Sequence, residues 1–269
     1  VRRTGQLMRI GLLSDVHANH SALQAVLGFL EDRGAERLLV AGDLVGYGGR
    51  PNECVELLAG AGAHCVAGNH DLFVLDRLPP TRFPPMARRS AELTRSLLSA
   101  DVRAFLESLP LRLQADTILM THGSLDSPEE YVVDEPRAQE LLRRMPVEAP
   151  RSDTLVLGHT HRQWCVVAGQ GAVPAQGRLL LPGGARLLNP GSVGQSRQRE
   201  RRPRARCALY DSSSSSVEFL RLDYDVESSR RVLQELRLPD RCLYAPPRVR
   251  GRVRMMARRI VDRVLGGRP

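Results

Sequence analysis

Leu39-Val40-Ala41-Gly42-Asp43 is a short apolar run that stops on a carboxylate. A run of this length suits a buried strand, and Gly-Asp ends it with the acid projecting from the strand end. Four more segments share the grammar. Ile10-Gly11-Leu12-Leu13-Ser14 leads into Asp15-Val16-His17, and Cys65-Val66-Ala67-Gly68 into Asn69-His70-Asp71. Ile118-Leu119-Met120-Thr121 leads into His122-Gly123, and Leu155-Val156-Leu157-Gly158 into His159-Thr160-His161. Ligands of open α/β sheets gather outside the carboxyl ends of strands. The five ends therefore nominate one site. Asp43 is its expected hub, because one carboxylate has two oxygens and can bridge two cations.

The intervening sequence gives these strands their setting. Asn19 or Ser21 can cap a helix whose Leu23, Val26, Leu27 and Leu30 share a face, and Gly34 ends it. A strand at 37–41 makes this a β-α-β unit. Gly46-Tyr47-Gly48-Gly49 reads as a flexible loop, and Pro51 opens the next helix. The Pro-rich stretch 76–86 reads as an irregular excursion, followed by helical pattern over 87–108. Strands 111–115 and 117–121 read as a hairpin, with a polar loop at 123–133 and a helix near 135–145 behind it. Strands near 163–168, 178–181 and 185–188 read as antiparallel. The Ser-rich loop Asp211–Ser216 joins two further strands, and a helix covers 226–236. The switch from β-α-β to consecutive strands predicts two sheets, one mixed and one mostly antiparallel.

Composition is that of a globular chain, and 269 residues suffice for one domain with a sizeable core. There is no lysine; all 39 basic residues are arginine. The net charge of +9 is concentrated in two places. Arg248 to Pro269 carries +7, Arg197–Arg206 carries +5, and the rest of the chain is mildly acidic. Val1–Leu7 read as an extension ahead of a start at Met8. Residues 8–238 form the expected domain, and 239–269 a linker with a basic amphipathic helix at about 252–265. Five cysteines, without a CxxC pair or an apolar membrane-length run, fit a reducing cytoplasm. Cys54 reads as a buried helix cysteine rather than a nucleophile.

Pooling the strand ends gives Asp15, His17, Asp43, Asn69, His122, His159 and His161, a mixed oxygen and nitrogen set. Such a set suits Mn, Fe, Zn, Ni or Co rather than Ca or Mg. Alone, an Asp-x-His is ordinarily a hydrogen-bonded loop pair, and a His-x-His is often structural. Together the pattern is specific: five of the seven histidines follow apolar strands, and only His20 and His64 do not. Two cations about 3.5–4 Å apart would lower the pKa of a shared water and clamp a phosphoryl group.

Asp15-x-His17, Gly42-Asp43, Gly68-Asn69-His70-Asp71, Thr121-His122-Gly123 and Gly158-His159-Thr160-His161 resemble the motif series of the calcineurin-like metallophosphoesterases. The resemblance runs from Met8 to about Leu222. Gly42-Asp43-Leu44-Val45-Gly46-Tyr47-Gly48, Pro51-Asn52-Glu53-Cys54 and Asn189-Pro190-Gly191-Ser192-Val193-Gly194 resemble the compact bacterial and archaeal phosphodiesterase branch. It implies an α/β fold (α+β by some schemes), a four-layer αββα sandwich of two mixed β-sheets flanked by helices. It further implies two divalent transition-metal ions, manganese first among them. Asp15, His17, Asp43 and His161 would hold one, and Asp43, Asn69, His122 and His159 the other. His70 would protonate or stabilise the leaving oxygen, with Asp71 to orient it. The protein phosphatases of this superfamily carry a second acid and an arginine just after the bridging aspartate. Here Gly46 and Tyr47 stand there, which points away from Ser/Thr protein phosphatases.

The function so implied is hydrolysis of a small phosphoester, a phosphodiester foremost, by in-line attack of activated water. A nuclease and a non-catalytic interaction module of the same fold are the alternatives. The arginine clusters 197–206 and 248–268 could touch polyanions such as nucleic acid or anionic lipid. The run 197–206 could equally be a phosphate-gripping loop or a solvated β-hairpin, and docking on the body is the expected main role of the tail.

Overall fold

A computed structural model of the chain describes residues 8–245. β1 (Arg9–Leu13) leads through α1 (His20–Asp32) to β2 (Arg37–Val40), and α2 (Pro51–Gly60) leads to β3 (His64–Cys65). α3 (Asn69–Val74), α4 (Pro85–Leu97) and α5 (Ala100–Ser108) follow, then the hairpin of β4 (Arg112–Ala115) and β5 (Ile118–Thr121). α6 (Glu135–Glu148) precedes β6 (Thr154–Val156), β7 (Gln163–Val167), β8 (Gly171–Val173), β9 (Gly177–Leu180) and β10 (Arg186–Pro190). β11 (Ala205–Asp211), β12 (Ser216–Leu222) and α7 (Val226–Glu235) come last.

The strands form two six-stranded sheets, ordered β3-β2-β1-β11-β12-β9 and β4-β5-β6-β10-β7-β8. Each has a parallel core, β1-β2-β3 in one and β5-β6-β10 in the other, extended by antiparallel strands. Both sheets are therefore mixed. The expected run of antiparallel strands after residue 163 is broken by β9. That strand crosses to the first sheet and pairs with β12, covering an edge that β12 would otherwise expose.

Side chains alternate between two buried faces, which is why the runs read as continuously apolar. Ile10, Leu12, Leu39, Ile118, Met120, Val156 and Leu188 fill the space between the sheets. Leu13 and Val40 point outward onto Leu23, Val26 and Leu30 of α1. Leu119, Leu155 and Leu187 point outward onto Leu141, Leu142 and Met145 of α6. The layers are thus α-β-β-α.

Local chemistry sets the boundaries. The Asn19 side chain accepts the Ala22 N–H and caps α1, and Pro51 opens α2. The helical pattern over 87–108 is two helices. Asn52 pins the break, donating to Leu97 O at 2.7 Å and accepting the Ser99 N–H at 3.0 Å, while Ser99 caps α5. Gly46–Gly49 is not flexible. Tyr47 is buried, its N–H donates to Ser90 Oγ, and the Gly48 N–H donates to His17 O at 2.9 Å. Nor does the chain leave the body at Pro239. Cys242 and Leu243 are buried with Leu233 and Leu238, and the Ala245 N–H donates to Ser196 O at 2.8 Å. The expected linker is packed as far as Ala245, because these apolar side chains fit the groove beside α7. The extension at residues 1–7 and the tail helix expected near 252–265 lie outside the described residues.

Among the described residues no helix is long and apolar enough to cross a membrane. All five cysteines are buried free thiols, and burial pushes Cys54 well above the ordinary thiol range. The inter-sheet layer should dominate stability. Leu12→Ala should cost about 2–5 kcal/mol in urea unfolding, whereas Leu180→Ala on the exposed edge should cost less than about 0.5 kcal/mol. Equal losses at both positions would contradict this assignment of the core.

Candidate metal centre

The carboxyl ends of the two parallel cores open at one edge of the sandwich. The loop after β1 is bound to the loop after β2: the Asp15 N–H donates to Gly42 O at 3.0 Å, and the His17 N–H to Asp43 O at 2.9 Å. The Gly158 N–H donates to His122 O at 2.8 Å and joins the ends of β5 and β6. Asp15, His17, Asp43, His159 and His161 all have positive φ, from 50° to 62°. A non-glycine residue in this region costs on the order of 1–3 kcal/mol, and such strain concentrates at functional sites. Two glycines make the approach feasible. Gly42 has φ +82°, and a Cβ there would lie 2.8 Å from His122 Nδ1. A Cβ on Gly68 would overlap Asp43 Oδ1.

Asp15 and Asp43 are completely buried. Asp43 Oδ1 accepts the His70 N–H at 2.8 Å, and Asp15 Oδ1 accepts the His159 N–H at 3.2 Å. The second oxygen of each, Asp15 Oδ2 and Asp43 Oδ2, has no hydrogen-bond partner. A buried carboxylate oxygen left this way is costly unless positive charge meets it.

The histidines show what kind of charge the site is built for. His17 Nδ1 lies 3.2 Å from Val45 O, His122 Nδ1 2.6 Å from Ala41 O, and His161 Nδ1 2.6 Å from Gln195 O. His159 Nε2 lies 3.0 Å from Glu129 O. A carbonyl can only accept, so each ring places an N–H there, and in the neutral ring the other nitrogen keeps its lone pair for a metal. Those lone pairs converge on the carboxylates. His161 Nε2 is 3.2 Å from Asp15 Oδ1, and His122 Nε2 is 3.3 Å from Asp43 Oδ2. His17 Nε2 and His161 Nε2 face each other at 3.3 Å, with no proton left to place between them. Acceptors packed against acceptors fit a metal cage, with the carbonyls as the outer partners that fix ring orientation.

Ligand atoms of Asp15, His17, Asp43 and His161 lie within 4.8 Å of one another, as do those of Asp43, His122 and His159. Asp43 belongs to both groups. Asn69 joins the second through Oδ1, 3.1 Å from His122 Nε2. Burial pushes His159 down to about 3 and holds His17 and His161 well below the usual imidazole range. At His122 burial acts the same way but is overcome by the Asp43 charge, which pushes that ring up to about 9. The field at Asp43 draws in positive charge.

All seven expected ligands therefore meet in one place, and His20 and His64 lie elsewhere. Asp71 is different. Its Oδ1 accepts the Val45 N–H at 3.1 Å and its Oδ2 the Gly68 N–H at 2.9 Å. It braces the turn into α3 and makes no hydrogen bond to His70, so the expected orienting role is corrected. The reason is helical position: Asp71 is the third residue of α3, where a carboxylate reaches back to the N-cap N–H. His70 is held by rings instead, with centroids 4.6 Å from Tyr47, 4.9 Å from His17 and 5.5 Å from Phe83. Burial pushes it down to about 4.

Other contributors carry no role in the sequence reading. The Ser192 hydroxyl donates to Asp15 O at 2.9 Å, and Asn189 Nδ2 donates to Gly158 O at 2.6 Å. They belong to Asn189-Pro190-Gly191-Ser192-Val193-Gly194, whose polar residues in an otherwise buried turn were the available signal. Tyr131 lies against His159, ring centroids 3.8 Å apart, and nothing in the sequence marks it.

Residues 8–214 match the family model of the calcineurin-like phosphoesterase superfamily domain. The chain belongs to that superfamily. It is similar to a metallophosphoesterase of Sphaerobacter thermophilus, at 33% identity over 88% of this chain and 97% of that one, with a TM-score of 0.73. A Pyrococcus horikoshii protein of known structure shares the fold at 19% identity, over 87% of this chain and 96% of that one, with a TM-score of 0.71. An uncharacterised protein of Methanocaldococcus jannaschii is 29% identical over 86% of this chain and 94% of its own length.

The unpartnered carboxylate oxygens make a stability test available. With Mn²⁺ at about 100 times its Kd the wild type should gain about 2.7 kcal/mol, and Asp43→Asn much less. A wild type indifferent to Mn²⁺, or an Asp43→Asn that responds equally, would contradict a cation site at Asp43.

Proposed function

We propose that this calcineurin-like phosphoesterase is a dinuclear, metal-dependent hydrolase whose preferred substrates are small phosphodiesters. The observation that carries the reading is the convergence of imidazole lone pairs on two carboxylates with orphaned oxygens. Asp15, His17, Asp43 and His161 would hold one divalent ion, and Asp43, Asn69, His122 and His159 the other. Manganese is the first candidate from the mixed donor set, with Fe, Zn, Ni or Co also compatible. Bound there, such ions acidify water and offset the charge of a phosphoryl group.

The protein's own groups do the rest. The backbone carbonyls of Ala41, Val45, Glu129 and Gln195 fix which nitrogen of each ring faces the site and aim the ring. His70 Nδ1 is buried without a partner beside Gly46, which leaves Nε2 to donate a hydrogen bond to the leaving oxygen. The wall around His70 is aromatic, made by Tyr47 and Phe83. An ester substituent fits such a wall better than a further ionised oxygen, and this supports a diester over a monoester. The complete ligand set disfavours a non-catalytic module.

Protein loaded with Mn²⁺ should be assayed on a bis-aryl phosphodiester, an aryl phosphomonoester, cyclic nucleotides and single-stranded nucleic acid. The diester should give the highest kcat/KM. Failure to hydrolyse any phosphoester with metal bound would overturn the proposal. His70→Ala should keep the metal content and lose about 10²- to 10⁴-fold in kcat on a poor leaving group. The loss should shrink on p-nitrophenolate, which needs little help to depart. An unchanged kcat on an alkyl leaving group would remove His70 from the reaction.

A further inference from the structure

The six arginines of 197–206 look alike in sequence and differ in the fold. Arg206 is buried and pairs with Glu200 and Ser196, and Arg204 pairs with Asp223. Arg199, Arg201 and Arg202 are exposed. Arg197 turns toward the metal centre. Its Nε donates to Gln195 Oε1 at 3.2 Å and its Nη1 to Tyr131 Oη at 3.2 Å. Both partners are neutral, and among the described residues Arg197 forms no ion pair and Nη2 finds no acceptor.

The charge of Arg197 reaches Asp15, His17, His70, His159 and His161. Tyr131 and Asp15 help to keep the guanidinium charged against its burial, and with cations in the cage an anion between them would meet positive charge on both sides. Its two tethers span the centre. Gln195 also receives His161 Nδ1 on its backbone oxygen, and Tyr131 lies on the ring of His159. Arg197 is therefore strung between the two ligand groups, with one edge of its fork open.

We propose that Arg197 is the phosphoryl clamp of this site, and that Tyr131 and Gln195 are positioning residues holding its guanidinium plane. The open fork would take the ionised non-ester oxygens of the substrate, for which planar paired N–H donors are suited. The inference rests on the phosphoesterase reading of the centre and adds the residue that binds the anion.

The test uses the Mn²⁺-loaded full chain and two readouts: calorimetric binding of inorganic phosphate, and steady-state hydrolysis of a bis-aryl phosphodiester. Arg197→Gln should weaken phosphate binding and lower kcat/KM by about 10- to 100-fold each. Arg197→Lys should recover only part, because it keeps the charge without the fork. Tyr131→Phe should raise KM several-fold and leave kcat nearly unchanged, and Arg202→Gln should match the wild type. Metal content should be equal in all. If Arg197→Gln does not fold, Arg197→Lys and Tyr131→Phe carry the same comparison. Phosphate affinity unaffected by these changes, loss of metal in Arg197→Gln, or a wild type that binds no phosphate would overturn the clamp. Arg197-dependent phosphate binding without turnover would keep the clamp and discard the phosphoesterase reading. Turnover indifferent to Arg197 would do the reverse.

Discussion

Asp43 Oδ2 is a carboxylate oxygen fully buried at one edge of the sandwich, without a hydrogen-bond partner among the described residues. The rest of the site is arranged around that fact. The other oxygen is fixed by the His70 N–H, Gly68 leaves it room, and three histidine rings crowd the edge of the sandwich near it. His122 Nε2, 3.3 Å away, is the nearest imidazole nitrogen to Oδ2 among the described residues. The fold holds five strained backbone positions around this point, and Asp43, common to both candidate ligand groups, is where positive charge would offset the buried carboxylates.

Why the site lies where it does follows from the sheets. Each contains a parallel core, and the carboxyl ends of both cores meet at one edge. Burial on both faces favours apolar residues along the core strands, so acids and imidazoles gather past the strand ends. Both sheets deliver acids, imidazoles and an amide there, and backbone bonds such as Asp15 N–H to Gly42 O lock the loops together. The candidate ligands thus sit directly after the core strands, in loops tied to one another by backbone hydrogen bonds. Arg197 and Tyr131, which face the opening, sit on the longer loops after β10 and β5.

The ligand set was legible in sequence because buried strands leave so little choice. An acid or histidine directly after an apolar run stands out, and five repetitions exclude coincidence. What fixes those ligands was not legible. The oxygens that set the histidine tautomers belong to Ala41, Val45, Glu129 and Gln195, and a backbone carbonyl leaves no trace in a residue's identity. Asp71 was misread for a related reason. Its place beside His70 suggests chemistry, but helix geometry turns its carboxylate back onto the Gly68 N–H. The arginine run hid the difference between Arg206, paired inside the sheet, and Arg197, aimed at the site. β9 is antiparallel as expected, but its pairing with β12, about 40 residues away, is invisible to local alternation.

The central claim is that Asp43 lies between two metal ions. Crystals grown with Mn²⁺ and measured above the manganese absorption edge test it directly. The account predicts two anomalous peaks about 3.5–4 Å apart, one beside Asp15, His17 and His161 and the other beside Asn69, His122 and His159, with Asp43 bridging them. Full-occupancy density for one ion only, or for none within reach of Asp43, would contradict it.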